Sequence, residues 1–197
     1  MQLLTEPYLS QAACWPTEGR HILAQHNSET VVVYQAYSPA IGRFAASHGY
    51  FGGGFSLNRM SWIKPNFLWM MYRSGWGTKP GQEVTLAIWL QRAAFVNILR
   101  AAVPSTYDPD DYSTREDWQT AVVQSDVRVQ WDPDHDPSGK PLARRAIQFG
   151  LRGATLASYA REWIVEIADI SAFVAAQREH ATPPYDHLLT PRETLFP

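Results

Sequence analysis

The chain has 197 residues, room for one domain and hardly two, and it is 45% hydrophobic and 18% charged, which excludes a disordered chain. A net charge of −2 excludes a uniformly basic binding protein and leaves small anionic ligands and nucleic acid open. The single cysteine, Cys14, excludes a disulfide framework and a cysteine zinc cluster; with no basic leader and no apolar run of membrane-spanning length, the chain reads as cytoplasmic, with no membrane partner.

In chain order, residues 30–36 carry Val31, Val32, Val33 and Tyr34 in a row, which predicts a buried strand. Ser38 followed by Pro39 predicts a helix start, and Gly49 its stop. Gly52, Gly53 and Gly54 predict a loop able to bring backbone close to a ligand. Residues 55–63 read as a strand. Between Pro65 at a first turn and Gly75 as a stop lies a second helix, with a short buried strand as the rival reading. Residues 75–81 are a loop, 84–90 a strand and 93–102 a helix. Ser113 and Glu116 have capping-box spacing, so a helix begins there. Residues 127–131 and 145–151 form two strands around an Asp/Pro/Gly hairpin. A short helix at 154–161, a strand at 163–167 and a helix at 171–178 follow. Residues from about 183 to 197 read as a tail running over the surface of a single domain spanning 1–197. Strands and helices mix without a βαβ rhythm, which makes the fold class α+β.

Charge and aromatics concentrate in the middle. Between Ser56 and Arg100 stand Arg59, Lys64, Arg73, Lys79, Arg92 and Arg100 against the single acid Glu83, a local net charge of +5. Trp62, Trp69, Trp76 and Trp89 lie among them. Cations interleaved with rings suit a phosphate-bearing ligand with a ring to stack, such as a nucleotide, a dinucleotide or single-stranded nucleic acid. The alternative is a solvated face beside a tryptophan-rich core. The glycine cluster is followed by neither Gly-Lys-Ser/Thr nor a helix, so it is neither a phosphate loop nor a dinucleotide fingerprint. Asp132, Asp134 and Asp136 alternate as in a calcium loop. Pro137 stands where the turn glycine belongs, however, and Ala143 where the closing glutamate belongs, so an acidic hairpin tip is the better reading. The six histidines never pair at metal spacing, and no metal site is expected. Glu162 precedes Trp163-Ile164-Val165 and so sits at the mouth of a strand, where a carboxylate can hold a sugar hydroxyl or stabilise a developing cation; an ordinary exposed glutamate is the bland alternative.

The run VVVYQAYSPAIGRFAASHGYFGGGFSLNRMSWIKPNFLWMMYRSGWGTKPGQE, with VRVQWDPDHD, AIQFGLRG and EWIVEIADI, closely resembles a family of bacterial and fungal proteins catalogued as domain-of-unknown-function family 4291. More remotely, the order of elements resembles the ADP-ribosyltransferase fold. That resemblance implies a split, mainly antiparallel sheet flanked by helices. It also implies NAD as substrate and transfer of ADP-ribose to a protein or nucleic-acid acceptor. VVVYQAY would be the first strand, FSLNRMSWI the second, and REWIVEIADI the late one. By position, Tyr34 and Gln35 fall at the ribose-holding site, and residues 59–62, with Arg59, Ser61 and Trp62, at the nicotinamide site. Glu162 falls at the catalytic site, with Gln35 beside it. Arg59, Lys64 and Arg73 would offset the pyrophosphate, and Trp62 or Tyr72 would stack on nicotinamide. The other function class open to this sequence is a non-catalytic protein that binds RNA or single-stranded nucleic acid through the same stretch.

Overall fold

An uninterrupted β-branched and aromatic run suits a strand covered on both faces, and the run starting at Thr30 becomes one. In the computed structural model, which describes residues 1–197, the N-terminal part comprises β1 (Thr5–Pro7), α1 (Tyr8–Ala12), β2 (Gly19–Arg20), β3 (Leu23–Ala24), β4 (Thr30–Tyr37), α2 (Pro39–His48) and β5 (Ser61–Ile63). The middle comprises α3 (Phe67–Ser74), β6 (Val84–Gln91), α4 (Arg92–Ala101), β7 (Ala102–Pro104), α5 (Arg115–Gln124), β8 (Val127–His135) and β9 (Pro141–Leu151). The chain ends with α6 (Gly153–Arg161), β10 (Ile164–Asp169), α7 (Ser171–Arg178), β11 (Leu189–Pro191) and β12 (Thr194–Leu195).

The strands assemble into a split, mainly antiparallel α+β architecture. One sheet has the order β10-β6-β4, antiparallel throughout. The larger one is β2-β9-β8-β7, with β5 added antiparallel to β9; only the short β2 and β7 run parallel to their neighbours, and two further two-stranded pairs, β1-β11 and β3-β12, complete the strands. The two sheets meet where Tyr34 bridges Lys64, just past the end of β5. There the Tyr34 N–H donates to the Lys64 carbonyl at 2.7 Å and the Lys64 N–H to the Tyr34 carbonyl at 3.3 Å. Alternation along β4 then feeds two cores. Val31 and Val33 join Ile88, Leu90, Phe95 and Phe149, while Val32 and Tyr34 join Ala87, Trp89, Phe67 and Met71.

Local signals account for most ends. Pro39 opens α2, and Gly49 closes it in the left-handed conformation (φ 75°), which costs glycine nothing. Gly42 lets α2 approach the sheet closely, since a Cβ there would lie 2.5 Å from Val84. The run after Lys64-Pro65 is helical, as α3. It begins two residues later than Pro65 suggests, because Asn66 is the cap and its side chain accepts from the Trp69 N–H at 2.7 Å.

Three expectations are corrected. Of residues 55–63 only Ser61–Ile63 is strand; the preceding residues form turns, with Ser56, Asn58 and Arg59 exposed. The cap of α5 is Thr114, paired with Asp117 rather than Ser113 with Glu116: the same spacing occurs one residue on, and Thr114 Oγ1 both accepts from the Asp117 N–H and donates to its carboxylate. The third concerns the tail at 183–197, which is built into the fold. β11 pairs with β1, β12 pairs with β3, and Leu188 and Phe196 are buried. Glu193 is 3% exposed and caps α3, accepting from the Phe67 N–H at 2.6 Å and from Asn66 Nδ2 at 3.0 Å. Short N-terminal strands with bare edges explain this, since each tail strand satisfies one of them. The hairpin tip is also less open than its acids suggest: Asp134 turns inward and forms a buried ion pair with Arg144 at 2.6 Å.

Candidate functional site

Alternation on β4 puts Gln35 and Tyr37 on one face at its C-terminal end, opposite β5. The Gln35 side chain ties the two strands together. Its Nε2 donates to Ser61 Oγ at 2.9 Å and to the Trp62 carbonyl at 3.0 Å, and it lies 2.8 Å from the Tyr37 hydroxyl. Its Oε1 accepts from the Tyr159 hydroxyl at 2.7 Å, and Tyr37 and Ser61 share a 2.7 Å hydrogen bond. Gln35 and Tyr159 are buried, so this network fixes the strand geometry and leaves the amide without a free acid or base function. Burial pushes the Tyr37 phenol up to about 12, moderated by its bonds to Ser61 and Gln35 and by the Arg59 charge, so it stays protonated at neutral pH.

Beside this network lies a cleft of about 540 Å³, a size that holds small organic ligands. Arg59, Lys64 and Arg73 line it, Tyr37, Phe55 and Trp62 form aromatic wall, and no Asp or Glu is among its 18 lining residues. None of the three cations takes part in any of the molecule's five ion pairs. Lys64 is only 6% exposed; burial first, and then the Arg73 charge, brings its ammonium down from the usual 10.5 to about 7, with Asp132 acting the other way. The β5–β9 register, carried one step past the Ile63–Phe149 pair, sets Lys64 beside Gln148. Gln148 Nε2 donates to Asp132 at 2.8 Å and to Gln130 at 2.9 Å.

The sequence-derived residues therefore divide. Gln35, Arg59, Ser61, Trp62, Lys64 and Arg73 converge on the cleft. Tyr34 does not: it points to the opposite face of β4, fully buried edge-on against Phe67, and lends only its backbone to Lys64. Nor does Tyr72. On α3, Met70 and Arg73, one turn apart, face the cleft, and Tyr72 faces the β8–β9 hairpin, stacked on His135 with ring centroids 3.5 Å apart.

Glu162 is the main correction. It caps the C-terminus of α6, exposed, and its carbonyl accepts from Gln91 Nε2. Gln91 pairs with Thr30, at the opposite end of β4 from the cleft. Five residues of strand separate Thr30 from Gln35, roughly 17 Å. The reason is sheet order. The strand after Glu162, β10, packs beside β6 and antiparallel to it, so it starts where β4 starts. Arg92 and Arg100 also lie at that far end, in a shallow surface pocket that includes Glu29.

Sequence reasoning passed over Tyr37, although its two-residue spacing from Gln35 placed it on the same face. Tyr159 and the Gln148–Asp132 pair carried no local signal, because only tertiary packing sets α6 against Gln35 and the β5–β9 pairing brings β9 and β8 up behind β5. No group of three or more His, Cys, Asp or Glu side chains comes together in a form that could hold a metal ion. No helix is long and apolar enough to cross a membrane.

No curated protein matches the chain in sequence. Residues 21–196, nearly the whole length and the entire cleft with them, match the family described as Domain of unknown function (DUF4291), and the chain belongs to that family.

Proposed function

We propose that the protein is an ADP-ribosyltransferase-like enzyme that takes NAD into the cleft between β4, α2 and β5 and passes ADP-ribose to a protein or nucleic-acid acceptor. The observation that carries this reading is the cleft itself, with two arginines and a lysine, three aromatic side chains and no carboxylate in its lining. Such a surface suits a ligand with two negative phosphates and flat rings. The pairing of the two strands supports it too, since the positions read as ribose-holding and nicotinamide-holding are joined through Gln35, Tyr37 and Ser61.

In this reading Arg59 and Arg73 face the pyrophosphate, and Trp62 or Tyr37 stacks on the nicotinamide. Departure of nicotinamide leaves a cation-like ribose. No carboxylate lines the cleft to stabilise it directly; Asp132, outside the lining and held by Gln148, is the one acid whose charge reaches the site, through Lys64, and the supporting role is assigned to it and not to Glu162. NAD is expected to raise the melting temperature, and free nicotinamide is expected to accumulate on incubation. Wild-type protein that neither binds nor cleaves NAD would sink the reading.

One observation favours the second function class. Next to the cleft, Trp69, Tyr72 and His135 form a stack in which Tyr72 is 41% exposed, with the Arg73 guanidinium 6.0 Å from the Trp69 ring. A cation beside an exposed ring stack suits the bases of single-stranded RNA or DNA. Oligonucleotide affinity that falls steeply with salt and is lost in Tyr72→Ala, with no response to NAD, would establish that class instead.

A further inference from the structure

Lys64 is an unusual amine. Most lysines keep the ammonium in water, yet this one is 6% exposed at the junction of the two sheets. Its backbone is clamped by both hydrogen bonds to Tyr34, so the side chain starts from a fixed point. It lines the cleft between Arg59 and Arg73, and no carboxylate approaches it closely enough to form an ion pair. The charged groups that act on it are α3's Arg73, which opposes its charge, and β8's Asp132, which favours it. β4 contributes Tyr34, whose ring is turned to Phe67. Burial outweighs the single acid, and the amine stands near half protonation at pH 7. A free amine with two arginines at its side is arranged to attack a carbonyl carbon on a ligand whose phosphate the arginines hold.

We propose that Lys64 is the nucleophile of a covalent site for phosphorylated aldehydes, which it binds as an imine. The Nζ lone pair adds to the carbonyl carbon, and one N–H proton passes to the carbonyl oxygen to give a neutral carbinolamine. The second N–H proton then goes to that hydroxyl, which leaves as water as C=N forms. One water is released, and no oxidant or reductant is required. This goes beyond the NAD reading and does not depend on it.

The probe is pyridoxal 5′-phosphate, with the imine fixed by borohydride and the labelled peptides mapped. The full chain holds only three lysines, Lys64, Lys79 and Lys140, together with the Met1 amine, which pairs with Glu166. Lys64 is expected to label at least tenfold faster than the other two lysines, and inorganic phosphate is expected to compete. Pyridoxal without its phosphate is expected to react at least tenfold more slowly. The Lys64 labelling rate is expected to level off above about pH 7, whereas an ordinary lysine keeps gaining towards 10.5. Label confined to Met1, Lys79 and Lys140 in folded wild-type protein would overturn the proposal, and equal rates with pyridoxal and its phosphate ester would overturn the ligand class. Labelling at Lys64 in a protein that ignores NAD would sink the transferase reading alone; NAD cleavage with an inert Lys64 would sink this proposal alone.

Discussion

The two ends of the sheet β10-β6-β4 carry similar residues and do different things with them. At the Tyr37 end, Arg59, Lys64 and Arg73 surround a cleft without making ion pairs. At the Thr30 end, Arg92 is already occupied: it donates to the Asn27 carbonyl at 3.1 Å, and its guanidinium lies 4.5 Å from the Phe196 ring. Glu29 and the exposed Glu162 lie at the same end. A cation that already has its partners is structure, whereas one that lines a cleft without an acid partner is available to a ligand. Charge along the chain does not distinguish the two, because the sheet separates them only after folding.

The comparison is most exposed to a test at the acids. In the transferase reading, Asp132→Asn, which removes the one acid whose charge reaches the cleft through Lys64, is expected to lower nicotinamide release by about tenfold or more. Glu162→Gln, at the far end, is expected to stay within about twofold of wild type. The reverse result would return the catalytic role to Glu162 and break the division between the ends. Next come the cations. Arg59→Ala with Arg73→Ala is expected to weaken NAD binding by about a hundredfold, roughly 3 kcal/mol for two charge-assisted contacts, in a calorimetric titration. Arg92→Ala with Arg100→Ala is expected to leave it unchanged.

Smaller effects concern the framework that holds the cleft end together. Gln35→Ala deprives the fully buried Tyr159 hydroxyl of its acceptor and is expected to cost about 1–3 kcal/mol in denaturant unfolding. The smallest effect per unit of perturbation is a pH dependence. Lys64 keeps its proton to its ordinary 10.5 in the unfolded chain but only to about 7 when folded. Between those values the unfolded state binds more protons, so this group makes the unliganded protein more stable as pH rises, by up to about 1.4 kcal/mol per unit. Lys64→Met is expected to flatten that slope in unfolding curves taken from pH 7 to 10; an unchanged slope would show that the lysine is hydrated and charged.

Much of the fold is legible in short stretches. The apolar runs of β4 and β6, the Pro39 start, the Gly49 and Gly75 stops and the hairpin between β8 and β9 all follow from neighbours within a few residues. Residues 183–197 are illegible for a physical reason. Their proline content and lack of periodicity describe the segment alone, whereas its order comes from edges supplied more than 160 residues earlier, with Thr194 on Ala24 and Thr5 on Pro191. Asp134 is similar: in sequence it is one of three alternating acids, and only Arg144 across the hairpin decides that it is buried.

By itself the sequence determined that a cationic, aromatic stretch follows a buried strand, and that Gln35, Arg59, Ser61, Trp62, Lys64 and Arg73 belong to it. Tertiary structure alone decided that these six share one cleft, that Tyr34 and Tyr72 turn away from it, and that Glu162 stands at the other end of the sheet. The reason is the range of the forces involved. Periodicity, caps and turns act over a few residues and can be read along the chain. Which strand lies beside which, and in what direction, is set by burying faces far apart in sequence, and a one-strand difference in order moves a carboxylate from the site to the opposite end of the sheet.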